Sequence, residues 1–123
     1  MKILLSIKPQ FVEEIINGRK TFEFRKAIPK QEVKTVVVYS SSPVCRIVGE
    51  FEVEKIICRR PDELWQETKQ GAGISKSFFE AYFEGREQGY AIQIKEFRPY
   101  ARPIPLREKY PNATPPQSFC YVS

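Results

Sequence analysis

An α+β fold is predicted, a small and mostly antiparallel β-barrel with one helix after the first strand and two helices inserted between later strands. Three observations predict it. The 123 residues amount to one domain, and a composition 41% apolar and 13% aromatic is enough to build a core. Strand-like patterns outnumber helical ones along the chain. The junctions near Ile28-Pro29 and Pro43 are too short for the crossovers that parallel neighbours need, so a doubly wound parallel sheet does not fit. Residues 1–123 are read as a single domain.

Residues 2–8 read as a first strand. Pro9 opens a helix, where its missing N–H costs nothing. Phe11, Val12, Ile15 and Ile16 recur at helical spacing, Glu13 and Glu14 lie opposite, and Gly18 is a C-cap signal. Lys20 to Arg25 then alternates with period two, Phe22 and Phe24 on one face and Thr21, Glu23 and Arg25 on the other. After a turn at Ile28-Pro29-Lys30, the run Val36-Val37-Val38-Tyr39 predicts a strand over 34–40 buried on both faces. A long strand follows from Arg46 to Ile57, and Gly49 marks a bulge or bend. Pro61-Asp62-Glu63 starts a helix with Leu64, Trp65 and Thr68 inward, and Gly71-Ala72-Gly73 ends it. A further helix begins near Ser75 to Ser77, with Ser77 and Glu80 as a capping box and Phe78, Phe79, Tyr82 and Phe83 as its core stripe. Gln88 to Phe97 is a strand with Tyr90, Ile92 and Ile94 inward. Pro99 to Pro116 carries six of the ten prolines and is read as loop, before a closing strand over 117–122.

Composition narrows the chemistry. Histidine is absent, which excludes Ser-His-Asp and Cys-His catalysis and histidine-ligated metals. Cys45, Cys58 and Cys120 are odd in number and match no zinc spacing, so free and mostly buried thiols are expected. No cofactor and no metal are expected. The apolar run after Met1 is closed by Lys8 and Pro9, too soon for an export signal or a membrane span, so a cytoplasmic location and no membrane partner are expected. The net charge of +5 is uneven: residues 1–60 carry twelve Lys and Arg against seven acids, and residues 61–123 carry eight of each. The excess peaks between Gly18 and Lys34. Such a patch suits an anionic partner (RNA or a nucleotide first, DNA second), although a solvated basic surface gives the same count.

The segment Gly18-Arg19-Lys20-Thr21-Phe22-Glu23-Phe24-Arg25 is the most informative. Lys20 stands where helix passes into strand, and Glu23 and Arg25 project from one strand face. Arginine offers a planar donor fork for phosphate or a base edge, glutamate accepts from an amine, and a desolvated lysine can act as nucleophile or base. Spacing alone equally fits an exposed ion pair across two residues of an ordinary strand.

GRKTFEFR resembles the G-x-K-x-x-E-x-R motif of the ASCH superfamily, a branch of the PUA-like barrels. The resemblance extends through Ser6-Ile7-Lys8-Pro9, Val36 to Ser42, Val48-Gly49-Glu50-Phe51 and Pro116-Gln117-Ser118-Phe119. It implies a PUA-like barrel and a cleft for RNA or nucleotide between barrel and first helix, lined by Lys20, Glu23 and Arg25. Lys8, Ser40, Ser41, Gln117 and Ser118 are carried over by position near that cleft, with Tyr39 or Tyr121 as a stacking surface. The leading expectation is a binding module, regulatory in transcription, translation or RNA metabolism. The alternative is a metal-independent enzyme. One ASCH branch hydrolyses N4-acetylcytidine with a lysine, a threonine and a glutamate. Lys20 matches, but Glu23 occupies the threonine position, Thr21 is only its neighbour, and Glu80 is a guess for the carboxylate. A ribonuclease branch would need Lys20 with a hydroxyl from Ser118 or Tyr121, giving Lys20, Glu23 and Ser118 as the catalytic candidates.

Overall fold

Two long antiparallel strands form the spine of the molecule. The computed structural model describes all 123 residues. Strand β1 (Lys2–Ile7) leads into helix α1 (Pro9–Ile16), then β2 (Phe22–Arg25), β3 (Thr35–Ser40) and β4 (Arg46–Arg59). Helix α2 (Pro61–Thr68), one 3-10 turn (Lys69–Gly71) and helix α3 (Lys76–Tyr82) follow. The chain finishes with β5 (Gly89–Ile104), the one-turn helix α4 (Leu106–Lys109) and β6 (Cys120–Val122). The strands make one sheet in the order β2-β5-β4-β3-β1-β6. Every pairing is antiparallel except β1 with β3, where Ile3 lies opposite Val36 and Leu5 opposite Val38. The intervening α1 and β2 supply the long connection a parallel pair needs.

The α+β class with a mostly antiparallel sheet is as expected, but the ladder does not close into a complete barrel, since β2 and β6 remain edges. Register shifts at Ile47/Gly49, Glu52/Val53 and Val53/Lys55 bend the β4–β5 ribbon. A side chain then spans the gap. Arg25 on edge strand β2 donates through Nη2 to the Ser6 carbonyl of β1 at 2.8 Å, and through Nη1 to the Ser118 carbonyl, just before β6, at 3.4 Å.

Three apolar clusters fill the structure. Ile3, Leu5, Ile7, Val36, Val38 and Phe51 pack under Val12 and Ile15 of α1. Leu4, Val37, Tyr39 and Ile47 pack on the other face, against Leu106 of α4, so β1 and β3 are buried on both sides as the valine run predicts. Phe24, Ile57 and Ala91 meet Leu64, Phe79 and Phe83 of α2 and α3. Full burial of one such aromatic contributes about 1.5–3 kcal/mol.

Several local expectations are corrected. Strand β5 runs through Pro99 and Pro103 to Ile104, where a loop was expected. Its partner β2 covers only Tyr90–Gln93, so beyond that β5 pairs on the β4 side alone, and such an edge is where a sheet tolerates proline. The cap of α3 is Ser75, whose Oγ accepts from the Phe78 N–H at 3.1 Å; Ser77 lies inside the helix. The cysteines are free, but none is buried: Cys45 is exposed, and Cys58 and Cys120 are half-buried. Ile16 is exposed, because α1 is narrow and Val12 and Ile15 already fill its inner face.

Candidate functional site

The site grows from the way α1 ends. Gly18 takes a positive φ of 78°, its N–H donates to the Ile15 carbonyl, and the Lys20 N–H returns to the Glu14 carbonyl at 2.9 Å. The helix is thereby stopped and the chain turned within two residues. Lys20 is aimed inward at the segment between α2 and α3. There the Thr21 N–H donates to the Gly71 carbonyl at 2.8 Å, and Lys20 Nζ donates to the Ala72 carbonyl at 2.9 Å. Gly73, at a φ of 64°, allows this approach, because a Cβ there would collide with Cβ and Cγ of Lys20.

Lys20 is one of three ionic groups that converge. Its Nζ lies 3.7 Å from Glu23 Oε1, while Glu23 Oε2 accepts from Arg25 Nε at 3.1 Å and Nη2 at 2.8 Å. The side chains of Lys20, Glu23 and Arg25 are 2%, 8% and 13% exposed, so this carboxylate sits between two cations almost out of water. Burial pushes the Lys20 ammonium below its ordinary pKa; Glu23 pulls it back up, and Arg25 adds to the lowering. The rings of Phe24 and Phe11 stand 4.9 and 5.5 Å from its nitrogen and give the charge a quadrupolar face in place of solvent.

A cavity of about 280 Å³ opens over this triad. Lys8, Lys20, Glu23 and Arg25 supply its charges, three cations to one anion. Phe11 from α1, Ile74 before α3, and Phe78 and Tyr82 from α3 form its apolar walls. Phe11 and Phe78 meet edge to face at 5.2 Å, and Lys8 Nζ lies 5.5 Å from the Phe78 centroid. Burial pushes the Tyr82 phenol up, so it keeps its proton through neutral pH. The Ser6 hydroxyl, also lining the cavity, finds no protein partner. No three Cys, Asp or Glu side chains gather anywhere as a metal-binding set. No helix is long and apolar enough to cross a membrane.

Of the residues expected at the site, Lys8, Lys20, Glu23 and Arg25 are brought together and the rest are not. Ser40 is buried at the end of β3 beside Ile7 of β1, and Ser41 donates its N–H to the Ile7 carbonyl at 3.0 Å; neither lines the cavity. Ser118 reaches the triad only through its carbonyl, and Gln117 lines a separate hollow in the C-terminal segment. Tyr39 is buried in the third cluster and offers no stacking surface. Tyr121 stacks on Phe119 at 5.8 Å, away from the cavity. Thr21 Oγ1 turns to the Gly71 carbonyl, and Glu80 faces a groove beside Trp65. The residues missed are Ser6, Phe11, Phe78 and Tyr82. A signal for two of them was present. Phe78/Tyr82 and Phe79/Phe83 are two pairs spaced by four and offset by one, so they spread over a wide helix face whose two edges can meet different surroundings. Phe79 and Phe83 take the core, and Phe78 and Tyr82 are left for the cavity.

Known proteins share this architecture. A family model described as ASCH domain matches residues 5–110. An ASCH domain-containing ribonuclease of Zymomonas mobilis is 32% identical over 123 residues, covering 97% of this chain and 82% of that protein. The large ribosomal subunit protein uL22 of Ureaplasma parvum is 30% identical over 121 residues; these are 98% of this chain but only 39% of that longer protein. The crystal structure of ASCH from Zymomonas mobilis superposes with a TM-score of 0.91 at 31% identity, over 99% of this chain and 87% of that one. A family match across most of the sequence, and a solved relative of nearly the same fold throughout, mean that this chain belongs to the ASCH domain family.

Proposed function

We propose that residues 1–123 act as a single RNA-binding ASCH domain that takes one unstacked base of a single strand into the cavity beneath α1. The observation that carries this reading is the pairing of aromatic walls with a buried, half-satisfied carboxylate. Both hydrogen bonds of Arg25 to Glu23 fall on Oε2. Oε1, with Lys20 at 3.7 Å, keeps acceptor capacity for an amine or imino group of a base. Phe11, Phe78 and Tyr82 provide the stacking faces used for unpaired bases. Lys8, which makes no ion pair, would meet the adjoining phosphate. The volume of about 280 Å³ lies just below the ~300–1,000 Å³ typical of small-molecule sites, which suits one nucleoside and no duplex. Arg25 spends its fork inside the protein, so its role is to hold Glu23 and join the sheet edges. A role for such binding in transcription, translation or RNA metabolism, in the cytoplasm, follows as part of the same proposal. Titration of labelled single-stranded RNA against the wild type and Glu23→Gln, at a temperature where far-UV circular dichroism shows the variant folded, tests it. Loss of affinity in the variant is expected, and unchanged affinity would reject the site.

A second reading is a metal-independent ribonuclease, favoured by the desolvated Lys20 amine and by a relative named as a ribonuclease. Lys20, once neutral, would take the proton of a 2′-hydroxyl. The freed oxygen would attack the adjacent phosphorus and expel the 5′-oxygen, which takes a proton from water, leaving a 2′,3′-cyclic phosphate and a 5′-hydroxyl. Incubation of RNA in chelator separates the readings. Turnover lost in Lys20→Met marks an enzyme, and bound but intact RNA marks a binding module.

A further inference from the structure

Resting on the RNA-binding reading, we propose that a second, open groove beside the cavity carries the polynucleotide strand away from it, with Lys26 and Arg86 meeting successive phosphates. The groove has a volume of about 880 Å³ and lies between the end of β2, the start of α2 and the turn from α3 to β5. Its walls include Lys26, Arg60, Asp62, Arg86, Glu87 and Tyr90. The two hollows meet at one contact. Lys26 Nζ stands 4.7 Å from the centroid of Tyr82, and Tyr82 is a wall of the cavity. A strand leaving the cavity past Tyr82 therefore meets the Lys26 ammonium first.

The charges in the groove favour a polyanion. Arg60 is engaged by Asp62 at 3.6 Å. Lys26 and Arg86 pair with no carboxylate, and Glu87 is the one acid left to oppose them. Tyr90, half-buried in the wall, adds an aromatic face beside these cations. Unpaired cations beside aromatic faces are the combination by which single strands are held through backbone and stacking together. The alternative exit lacks this chemistry. The C-terminal hollow of about 740 Å³ is lined by residues between Tyr110 and Ser123, with no lysine or arginine among them. A phosphate there would find no countercharge, so the electrostatics select the groove side over the tail side.

The test compares ligands of increasing length on the full chain. Mononucleotides and labelled oligonucleotides of two, four and eight residues are titrated against the wild type, Lys26→Met/Arg86→Met and the control Arg107→Met on α4. Methionine keeps the packing over Tyr82 while removing the charge. Wild-type affinity is expected to climb from mononucleotide to tetranucleotide. The double variant should lose about tenfold on the tetranucleotide, flatten the slope of log affinity against log salt by about 1.4, and leave mononucleotide binding unchanged. Arg107→Met should behave as wild type. Wild-type affinity and slope in the double variant would overturn the groove, as would equal displacement of RNA by a polyglutamate peptide. Oligonucleotide binding that depends on the groove, with no mononucleotide binding, would overturn the cavity reading and leave the groove standing. Failure of the wild type to bind any nucleic acid would overturn both.

Discussion

Glu23 and Glu50 each hold an arginine and a lysine, yet the partners of Glu23 are buried and those of Glu50 are open to water. Glu50 on β4 accepts from Arg98 Nη2 at 3.1 Å and the Tyr100 hydroxyl at 3.0 Å, with Lys2 at 3.9 Å. Arg98 and Lys2 are 44% and 41% exposed, so water can replace either partner at little cost. Burial alone would raise the Glu50 pKa, but the hydrogen bonds from Arg98 and Tyr100, with Lys2 nearby, hold it below the usual value. Around Glu23 there is no such reserve of solvent. Charges of the same kinds become interdependent there, because removing one leaves the others buried and unmatched. The lesson is that position relative to water, more than residue type, separates an ion pair that decorates a strand from one that can shape a site.

The comparison can be broken first at its centre. Glu23→Gln should destabilise the fold by about 3–5 kcal/mol in urea unfolding, since Lys20 and Arg25 would face each other without a counterion. A cost under about 1 kcal/mol would mean that water reaches the triad and that the contrast with Glu50 is false. The aromatic mouth is the second point, because nothing like it stands over Glu50. Phe78→Ala should weaken single-stranded RNA binding by about 1–3 kcal/mol with little change in stability, as Phe78 is already 38% exposed. Equal binding by the variant would remove the cavity from the argument.

Titration sharpens the contrast further. The Lys20 pKa is depressed in the folded state, so between that value and the ordinary 10.5 the native protein gives up a proton that the unfolded chain still holds. Stability then rises with pH in that window, by up to about 1.4 kcal/mol per unit, and is flat below it. The free energy of unfolding of wild type should climb relative to Lys20→Met as pH is raised toward 10; parallel curves would show that the amine is not desolvated. The smallest effect belongs to Glu50→Gln, expected at about 0–1 kcal/mol at neutral pH. Glu50 has a lowered pKa, so its contribution is present above about pH 4.5 and lost as pH falls through the folded value. A larger loss would place Glu50 in the same class as Glu23.

Much of this was legible before any coordinates. The Pro9 start and Gly18 stop of α1 and the valine run of β3 are local signals that appear where expected, while β2 is shorter than its alternation suggests, starting at Phe22, with Glu23 as buried as Phe24. The convergence of Lys20, Glu23 and Arg25 also appears where expected, because a helix stop followed at once by a strand leaves little freedom in where those side chains go. The errors share a cause. Pro99 and Pro103 read as loop because a proline's tolerance depends on whether a neighbouring strand needs its donor. Tyr39 looked available for stacking and Phe78 looked like core because exposure depends on what is packed above. Helix α4 covers the first, while the second meets Phe11 and Lys8 at the cavity mouth and stays partly open to solvent.

The amino-acid order by itself determined the elements and the ionic motif, since capping, periodicity and backbone preference act over a few neighbouring residues. Only the tertiary structure decided which aromatics face the cavity, that Arg25 joins Ser6 and Ser118 across the open sheet, and that Lys20 is desolvated by Ala72 and its neighbours fifty residues away. Those outcomes depend on which distant surfaces exclude water from one another, and exclusion of water is a property of the packed chain that no local stretch contains.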